Sequence, residues 1–339
     1  MKQKRDRRFI VLGVVFLFFI AGCERGGDGG GVGGVPRDPF LGGTQGLEIS
    51  FEEGSPPEEV TDGGEYPFQA VVRLKNVGEY GIKEKNAKVN LIGFSPTDFD
   101  SEFSKLKVVV ADALTARQRD SEGNIIEPVE VFVTFPTTGE FNFKNPIAGN
   151  TPFIFRADVC YKYQTKVVSE ICILKNVGDD AICEPSAPKR VFSSGSPLQV
   201  TSFRQIPGGK DKVRFSFDMM HSGSGDIFDG TTPAVCQKDV RGAKEKVEVR
   251  VKTGISGSLD CVGLDNQIVS DGVVEDIGDG VVEDIGLVKL IDGRRTITCT
   301  QDISSVQNDL KKVVDIILDF NYLDNVDRVV LVKHLIKDP

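Results

Sequence analysis

The stretch FIFRADVCY (residues 153–161) places an apolar side chain at every second position, with arginine and aspartate between. Because successive side chains of a strand point to opposite faces, this pattern predicts a β-strand with one buried face and one wet face. Comparable stripes recur at 68–74, 129–135, 213–219, 247–251 and 314–322.

Helical patterns are scarce. Residues 98–118 and 303–312 could each form a turn or two, but neither keeps a 3.6-residue period. The chain is therefore predicted to be all-β, with antiparallel sheets. The part beyond residue 46 is longer than one sandwich core usually holds. We predict two tandem immunoglobulin-like β-sandwiches, at 47–184 and 198–339, joined by a proline- and serine-rich linker at 185–197.

A weak internal repeat supports this division. Leu74-Lys75-Asn76-Val77-Gly78 runs a strand into an Asn-x-Gly turn, and this step resembles the CARDB-type immunoglobulin-like domains of prokaryotic surface proteins. Segments 160–173 and 294–301 further resemble uncharacterised lipoprotein-like surface proteins of archaea. The resemblance implies tandem sandwiches and transfers no ligand site. The second half departs from it, with Met220-His221-Ser222-Gly223 where the asparagine step is expected.

The N-terminus has the features of a secretory signal peptide. Basic residues precede an apolar run at 9–20, which is shorter than the roughly 20 residues that span a bilayer. The tetrad Ile20-Ala21-Gly22-Cys23 resembles the lipobox of prokaryotic lipoproteins, which implies a signal peptide at 1–22 and lipid attachment at Cys23. An ordinary signal peptide with a chance cysteine, or an uncleaved short anchor, remains an alternative.

Residues 23–46 follow as an anchor and tether. Ten of the 23 residues from 24 to 46 are glycine, which predicts a flexible coil that cannot bury a core. Residues 1–22 carry five basic side chains and one acidic one, so their removal lowers the net charge from −9 to about −13. So acidic a chain is repelled by nucleic acid, and we expect no nucleic-acid partner. The predicted location is the extracellular face of the cell membrane, with the lipid as the membrane contact.

Six cysteines remain when Cys23 is set aside, an even number in an exported chain. None lies in a C-x-x-C pair, so disulfides are favoured over a zinc site. Fifteen pairings are possible. Chain order suggests Cys160–Cys172, Cys183–Cys236 and Cys261–Cys299.

Three other features of the sequence are candidate sites: an acidic repeat, two histidines and a group of tyrosines. The tandem repeat DGVVEDIG (271–286) is acidic but lacks calcium-loop spacing, so a duplicated hairpin is favoured. His221 and His334 are the two histidines, and without a G-x-S-x-G elbow they are interpreted as surface or turn residues. The tyrosines could form a recognition surface, but core packing is favoured. The tyrosines in question are Tyr66, Tyr80, Tyr161 and Tyr163.

The sequence thus predicts a non-enzymatic cell-surface lipoprotein without cofactor, metal or catalytic residue. Its role would be binding, adhesion or envelope organisation through a protein or glycan partner, because sandwich loops are suited to recognition. A structural subunit of a surface layer or filament, assembled by strand-edge pairing, is the alternative. A secreted hydrolase with an unrecognised site ranks last.

Overall fold

A computed structural model describes residues 38–175, 182–264 and 281–334. The all-β prediction is confirmed, because the described residues form sheets that are antiparallel except for one short parallel pair, with three short 3₁₀ turns, Pro96–Phe99, Phe103–Leu106 and Arg241–Ala243. The strands are β1 (Leu47–Phe51), β2 (Glu59–Thr61), β3 (Ala70–Asn76), β4 (Ala87–Ile92), β5 (Lys107–Val109), β6 (Gln118–Arg119), β7 (Ile125–Ile126), β8 (Val131–Phe135), β9 (Thr151–Ile173), β10 (Phe192–Ser193), β11 (Leu198–Pro207), β12 (Lys212–His221), β13 (Asp226–Asp229), β14 (Lys246–Ser256), β15 (Leu259–Val262), β16 (Val281–Lys289), β17 (Arg294–Asp302) and β18 (Leu310–Lys333).

The alternating stripes form strands with one buried face, as predicted. In β3 the buried positions are Ala70, Val72 and Leu74, and the side chains between them are partly exposed. The apolar side chains on that face are removed from water, and the backbone N–H and C=O groups bond to neighbouring strands. A strand in a sheet therefore buries apolar surface without leaving backbone polar groups unpaired. One stripe starts later than predicted, since Val129 is 72% exposed and precedes β8.

Two long strands form the centre of the molecule. β9 and β18 pair antiparallel from Thr151 opposite Val332 to Ile173 opposite Leu310. They lie within a nine-stranded sheet of order β16-β14-β18-β9-β4-β5, with β2, β10 and β13 beside the long strands. β9 belongs to the first predicted sandwich and β18 to the second, so the two halves share one sheet and form one compact unit.

Two smaller sheets contact one face of this central sheet. The three-stranded sheet β1-β3-β8 meets it where the Leu47 amide donates to Tyr161 Oη on β9, at 3.2 Å. The four-stranded sheet β11-β12-β17-β15 meets it where Thr253 Oγ1 of β14 donates to Gln301 Oε1 of β17, at 2.6 Å. We call this covered side the inner face and the opposite side the outer face. The buried apolar residues between the layers form one continuous core.

The predicted linker is part of this architecture. β10 pairs with β9 at Val167 and Val168, and the Ser194 amide donates to the Lys166 carbonyl at 2.8 Å. The predicted helical stretches contain no α-helix: 98–118 holds 3₁₀ turns, β5 and irregular backbone, and 303–309 is turn and irregular backbone before β18 begins at Leu310. Among the described residues, no helix has the length and apolar character needed to cross a bilayer.

Candidate binding site

Six cysteines form three disulfides, Cys160–Cys236, Cys172–Cys183 and Cys261–Cys299. The expected pairing of Cys261 with Cys299 is confirmed, and the other two expected pairings are wrong. Cys160 and Cys172 lie twelve positions apart on β9, which at about 3.3 Å per residue separates them by roughly 40 Å. A disulfide requires Cα atoms about 6 Å apart, so each cysteine bonds to a loop instead. The anchor residue Cys23 lies outside the described residues.

The two neighbouring tyrosines of β9 pack in the core, which confirms the interpretation favoured from the sequence. Tyr161 and Tyr163 are fully buried, and burial raises the pKa of both hydroxyls above the usual value. Tyr80 is partly exposed and packs edge-on against Tyr163, with ring centroids 5.5 Å apart. Tyr66 is 59% exposed. The alternative interpretation, in which Tyr161 and Tyr163 form a recognition surface, is therefore wrong.

Tyr163 ends against the Asn-x-Gly step noted in the sequence. Its hydroxyl donates to Asn76 Oδ1 at 3.2 Å, while Asn76 Nδ2 donates to the carbonyls of Tyr80 and Leu114. Asn76 is completely buried. Gly78 is required beside it, because a Cβ there would overlap Tyr163 Oη and lie 2.7 Å from two backbone carbonyl oxygens. We call this arrangement the Asn76 junction.

The Asn76 junction also holds the end of the predicted tether. The amides of Val77 and Gly78 donate to the Gly46 carbonyl, at 3.0 and 3.1 Å. The adjacent Glu79 carboxylate accepts from three amides, those of Leu41 at 2.8 Å, Gly42 at 2.8 Å and Gly195 at 2.6 Å. Residues 41–46 were predicted to be flexible tether, and this prediction is wrong because these amides and carbonyls are bonded to the folded body.

A second tyrosine is held in the same way in the other half. Tyr322 of β18 lies 3.1 Å from His221 Nε2, and its hydroxyl accepts from the Gly225 amide at 2.7 Å. A Cβ at Gly223 would overlap Tyr322 Oη and lie 2.7 Å from Pro197 Cβ. We call this the His221 junction. His221 is the last residue of β12 and partly exposed, directly before the turn in which it was predicted to lie.

The other candidate features have structural partners. His334 Nδ1 lies 2.7 Å from Asp62 Oδ2, directly after β18. The first DGVVEDIG copy lies outside the described residues, and the second continues into β16, which pairs with β14. Glu283 of that copy forms ion pairs with Arg250 and Lys252 at 3.9 and 3.4 Å.

The outer face of the central sheet carries a loop that we call the strap (residues 230–243). The strap is fixed by the Cys160–Cys236 disulfide and by the buried Asn321 of β18. The Asn321 side chain accepts from the Ala234 amide at 3.0 Å and donates to the carbonyls of Asp229 and Thr232 at 2.7 Å each. A single amide side chain thus satisfies several backbone groups of the loop, which explains a polar residue at a fully buried position.

A cleft of about 500 Å³ lies between the strap and the outer face. Lys88 and Asn90 of β4 and Asp158 of β9 line one side, and Lys238 of the strap lines the other. Lys238 Nζ lies 2.7 Å from Asp158 Oδ2, whereas Asp158 Oδ1 is buried without a hydrogen-bond partner. Lys88 has no ion pair within the described part of the chain. These donors and acceptors, beside the apolar Leu323, suit a polar ligand of small size.

Sequence reasoning missed this cleft. Asp158 and Asn321 are outward-facing residues of predicted strands, where polar side chains are ordinary, and Lys88 lies in β4, which was not among the predicted strands. Two signals could have indicated it. Cys160 lies at an outward-facing position of its strand, so its partner must come from a segment that covers that face. The second signal is Asn321, a short amide between two aromatic residues of a predicted strand.

Comparison with known proteins adds little to this geometry. No protein-family profile matches the chain, and no curated protein matches it by sequence. Among solved structures, the chain is similar to the secreted serine protease VesC from Vibrio cholerae at 11% identity, with a TM-score of 0.16. That match covers 85% of this chain and 52% of the other, so the chain spans about half the length of that structure. A likeness this small carries no argument about fold or activity.

Proposed function

We propose that the protein is a non-enzymatic, lipid-anchored surface protein that binds a partner through the strap cleft, in adhesion or envelope organisation. The cleft is the observation that carries the proposal. Its volume falls within the range of about 300–1,000 Å³ that is usual for small-ligand sites. Its walls come from rigid strands and from a loop held by a disulfide and by Asn321. Such a site is ordered before the ligand arrives, which lowers the entropic cost of binding.

The polar lining favours a glycan as the ligand class. Lysine ammonium groups and the Asn90 amide can donate to hydroxyl and ring oxygens, and carboxylate oxygens can accept from hydroxyl groups. The small volume fits one or two sugar units rather than a folded protein domain. A protein partner would instead contact the exposed rim of the strap, which includes Val240 at 46% exposure.

Binding to an array of purified surface glycans tests this proposal with the full-length protein. Lys88→Ala and Asn90→Ala each remove a group that lines the cleft, so we expect each to weaken glycan binding about tenfold, equivalent to one or two hydrogen bonds. Lys212→Ala is the matched control, because Lys212 is an exposed lysine on β12, which belongs to a different sheet from β4 and does not line the cleft. Wild-type protein that binds no glycan would contradict the proposal. So would equal losses in Lys88→Ala and Lys212→Ala.

The proposed location rests on two further observations. Cys23 follows a signal-like segment, and three disulfides fit the oxidising conditions met by exported proteins. Mass spectrometry of protein purified from its own envelope is the direct test. We expect a mature N-terminus at Cys23 with an added lipid mass, and an intact Met1 without lipid would overturn the anchor.

A further inference from the structure

The edge strand β8, of sequence VFVTF, has a hydrogen-bonded neighbour on one side only. It pairs with β3 from Leu74 opposite Val131 to Ala70 opposite Phe135, and no other described strand pairs with it. About half of its peptide N–H and C=O groups therefore point away from the sheet. Such an edge is a template for another strand, and soluble proteins usually protect it.

β8 lacks one usual form of protection, a charged side chain on the strand itself. A charged side chain on an edge strand discourages pairing, because a second strand would have to bury that charge or approach it. Among the described edge strands of three or more residues, β8 alone has no charged side chain. The others carry Glu48 in β1, Glu59 in β2, Lys107 in β5, Arg204 in β11, Asp226 in β13, Asp260 in β15 and Glu283 in β16.

The surroundings of β8 also favour an apolar contact. Phe132 is 52% exposed on the strand, and Val129, two residues before it, is 72% exposed. The nearby carboxylates are already paired within the molecule: Glu130 lies 3.5 Å from Arg73, and Glu127 lies 3.2 Å from Lys75. A strand that approaches this edge therefore meets apolar side chains and neutralised charges.

We propose that β8 pairs antiparallel with β8 of a second copy of this chain. A two-fold axis at Val133 places Phe132 opposite Thr134 of the second copy, and joins two three-stranded sheets into one of six strands. A second copy fits because an uncharged strand is complementary to itself, whereas a charged edge would oppose like charges across the axis. The pairing uses no residue of the strap cleft, so it stands or falls independently of glycan binding.

Sedimentation equilibrium of the full-length protein in density-matched detergent tests the pairing. We expect a two-copy species, and we expect Thr134→Lys to weaken its association constant at least about tenfold, because the two introduced charges would oppose the edge. Phe132→Lys should act in the same direction. Both side chains are exposed, so the fold should persist, and far-ultraviolet circular dichroism checks this.

The control is Ile206→Lys, which adds the same charge at an exposed apolar position of another edge strand, β11. It should leave the association constant unchanged. Wild-type protein that stays monomeric at all accessible concentrations would overturn the proposal. A two-copy species that Thr134→Lys leaves intact, or that Ile206→Lys weakens equally, would also overturn it.

Discussion

The Asn76 junction and the His221 junction hold equivalent tyrosines with different polar residues. In each, a tyrosine from a long central strand ends against a glycine that lies two positions after the polar residue. Asn76 is completely buried, whereas His221 is partly exposed. The glycine and the tyrosine are the common part, because a Cβ at either glycine would overlap the tyrosine hydroxyl. The polar partner is replaceable, since an amide or an imidazole can bond to a hydroxyl.

The two junctions also differ in what else they hold. At the Asn76 junction, the Glu79 carboxylate accepts from the amides of residues 41, 42 and 195. The segment that precedes β1 and the predicted linker are therefore held at the same place. His221 is near Asp226, Asp324 and Glu245, whose charges act on its titration. The polar partner of the tyrosine is thus a neutral amide in the first junction and a titratable imidazole in the second.

The glycines should give the largest effects. Gly78→Ala would force a Cβ against Tyr163 Oη and the carbonyl oxygens of Gln45 and Gly195, so we expect a loss of about 3 kcal/mol in the free energy of unfolding. Gly223→Ala should cost less, about 2 kcal/mol, because its second neighbour is the Pro197 ring and not backbone oxygen. Urea unfolding of the full chain measures both.

Gly242→Ala is the matched control for the glycines. A Cβ at Gly242 meets no described atom within 4 Å, so this variant should be nearly neutral. If Gly78→Ala were as stable as Gly242→Ala, Tyr163 would not be held against this turn in solution.

Removal of the polar partner of each tyrosine should lower the free energy of unfolding by a different amount at each junction. Asn76→Ala removes the acceptor nearest to the Tyr163 hydroxyl and the side-chain donor to the carbonyls of Tyr80 and Leu114, all within the core, and we expect a loss of about 2–3 kcal/mol. His221→Ala should cost about 1 kcal/mol, because water can reach this partly exposed site and bond to Tyr322. Thermal unfolding of both variants checks the order. Equal losses would mean that burial of the polar partner does not set its contribution.

The sequence predicted the strands well and their extent poorly. Alternation within 153–161 and 314–322 is a local property, so it identified β9 and β18 as strands. It could not show that both continue for more than twenty residues and pair along their whole length, because pairing depends on contacts far apart in the chain. Chain order likewise paired Cys160 with Cys172, since the sequence does not show that one straight strand contains both.

The candidate site was the least predictable part. Lys88, Asp158 and Lys238 come from three separate segments, and each is an unremarkable charged residue in its own context. Only the fold brings them together, through the disulfide from Cys160 to the strap. The Asn76-x-Gly78 step was visible as a pattern, but its reason was not, because the tyrosine that requires the glycine lies 85 residues further along the sequence at position 163.

The smallest predicted effect concerns pH and belongs to the His221 junction alone. Burial lowers the pKa of His221 below its ordinary value, and the nearby Asp226, Asp324 and Glu245 oppose this shift only in part. Above about pH 7.5 the imidazole is neutral in both the folded and the unfolded chain, so its titration does not change the free energy of unfolding there. As the pH falls through about 6.5, the unfolded chain takes up the proton first. Stability is therefore lost on acidification, until the pH reaches the lower pKa of the folded protein.

His221→Asn isolates this contribution, because it gives the second junction the polar residue of the first and removes the titrating group. The stability of wild type relative to His221→Asn should fall between about pH 8 and about pH 5, by less than about 1 kcal/mol because the site is partly exposed. Urea midpoints of both proteins at the two pH values measure this difference, and the carboxylates common to both cancel. A relative stability that stayed constant or rose on acidification would show that the folded protein holds protonated His221 as well as the unfolded chain does, and that the two junctions differ in structure without differing in titration.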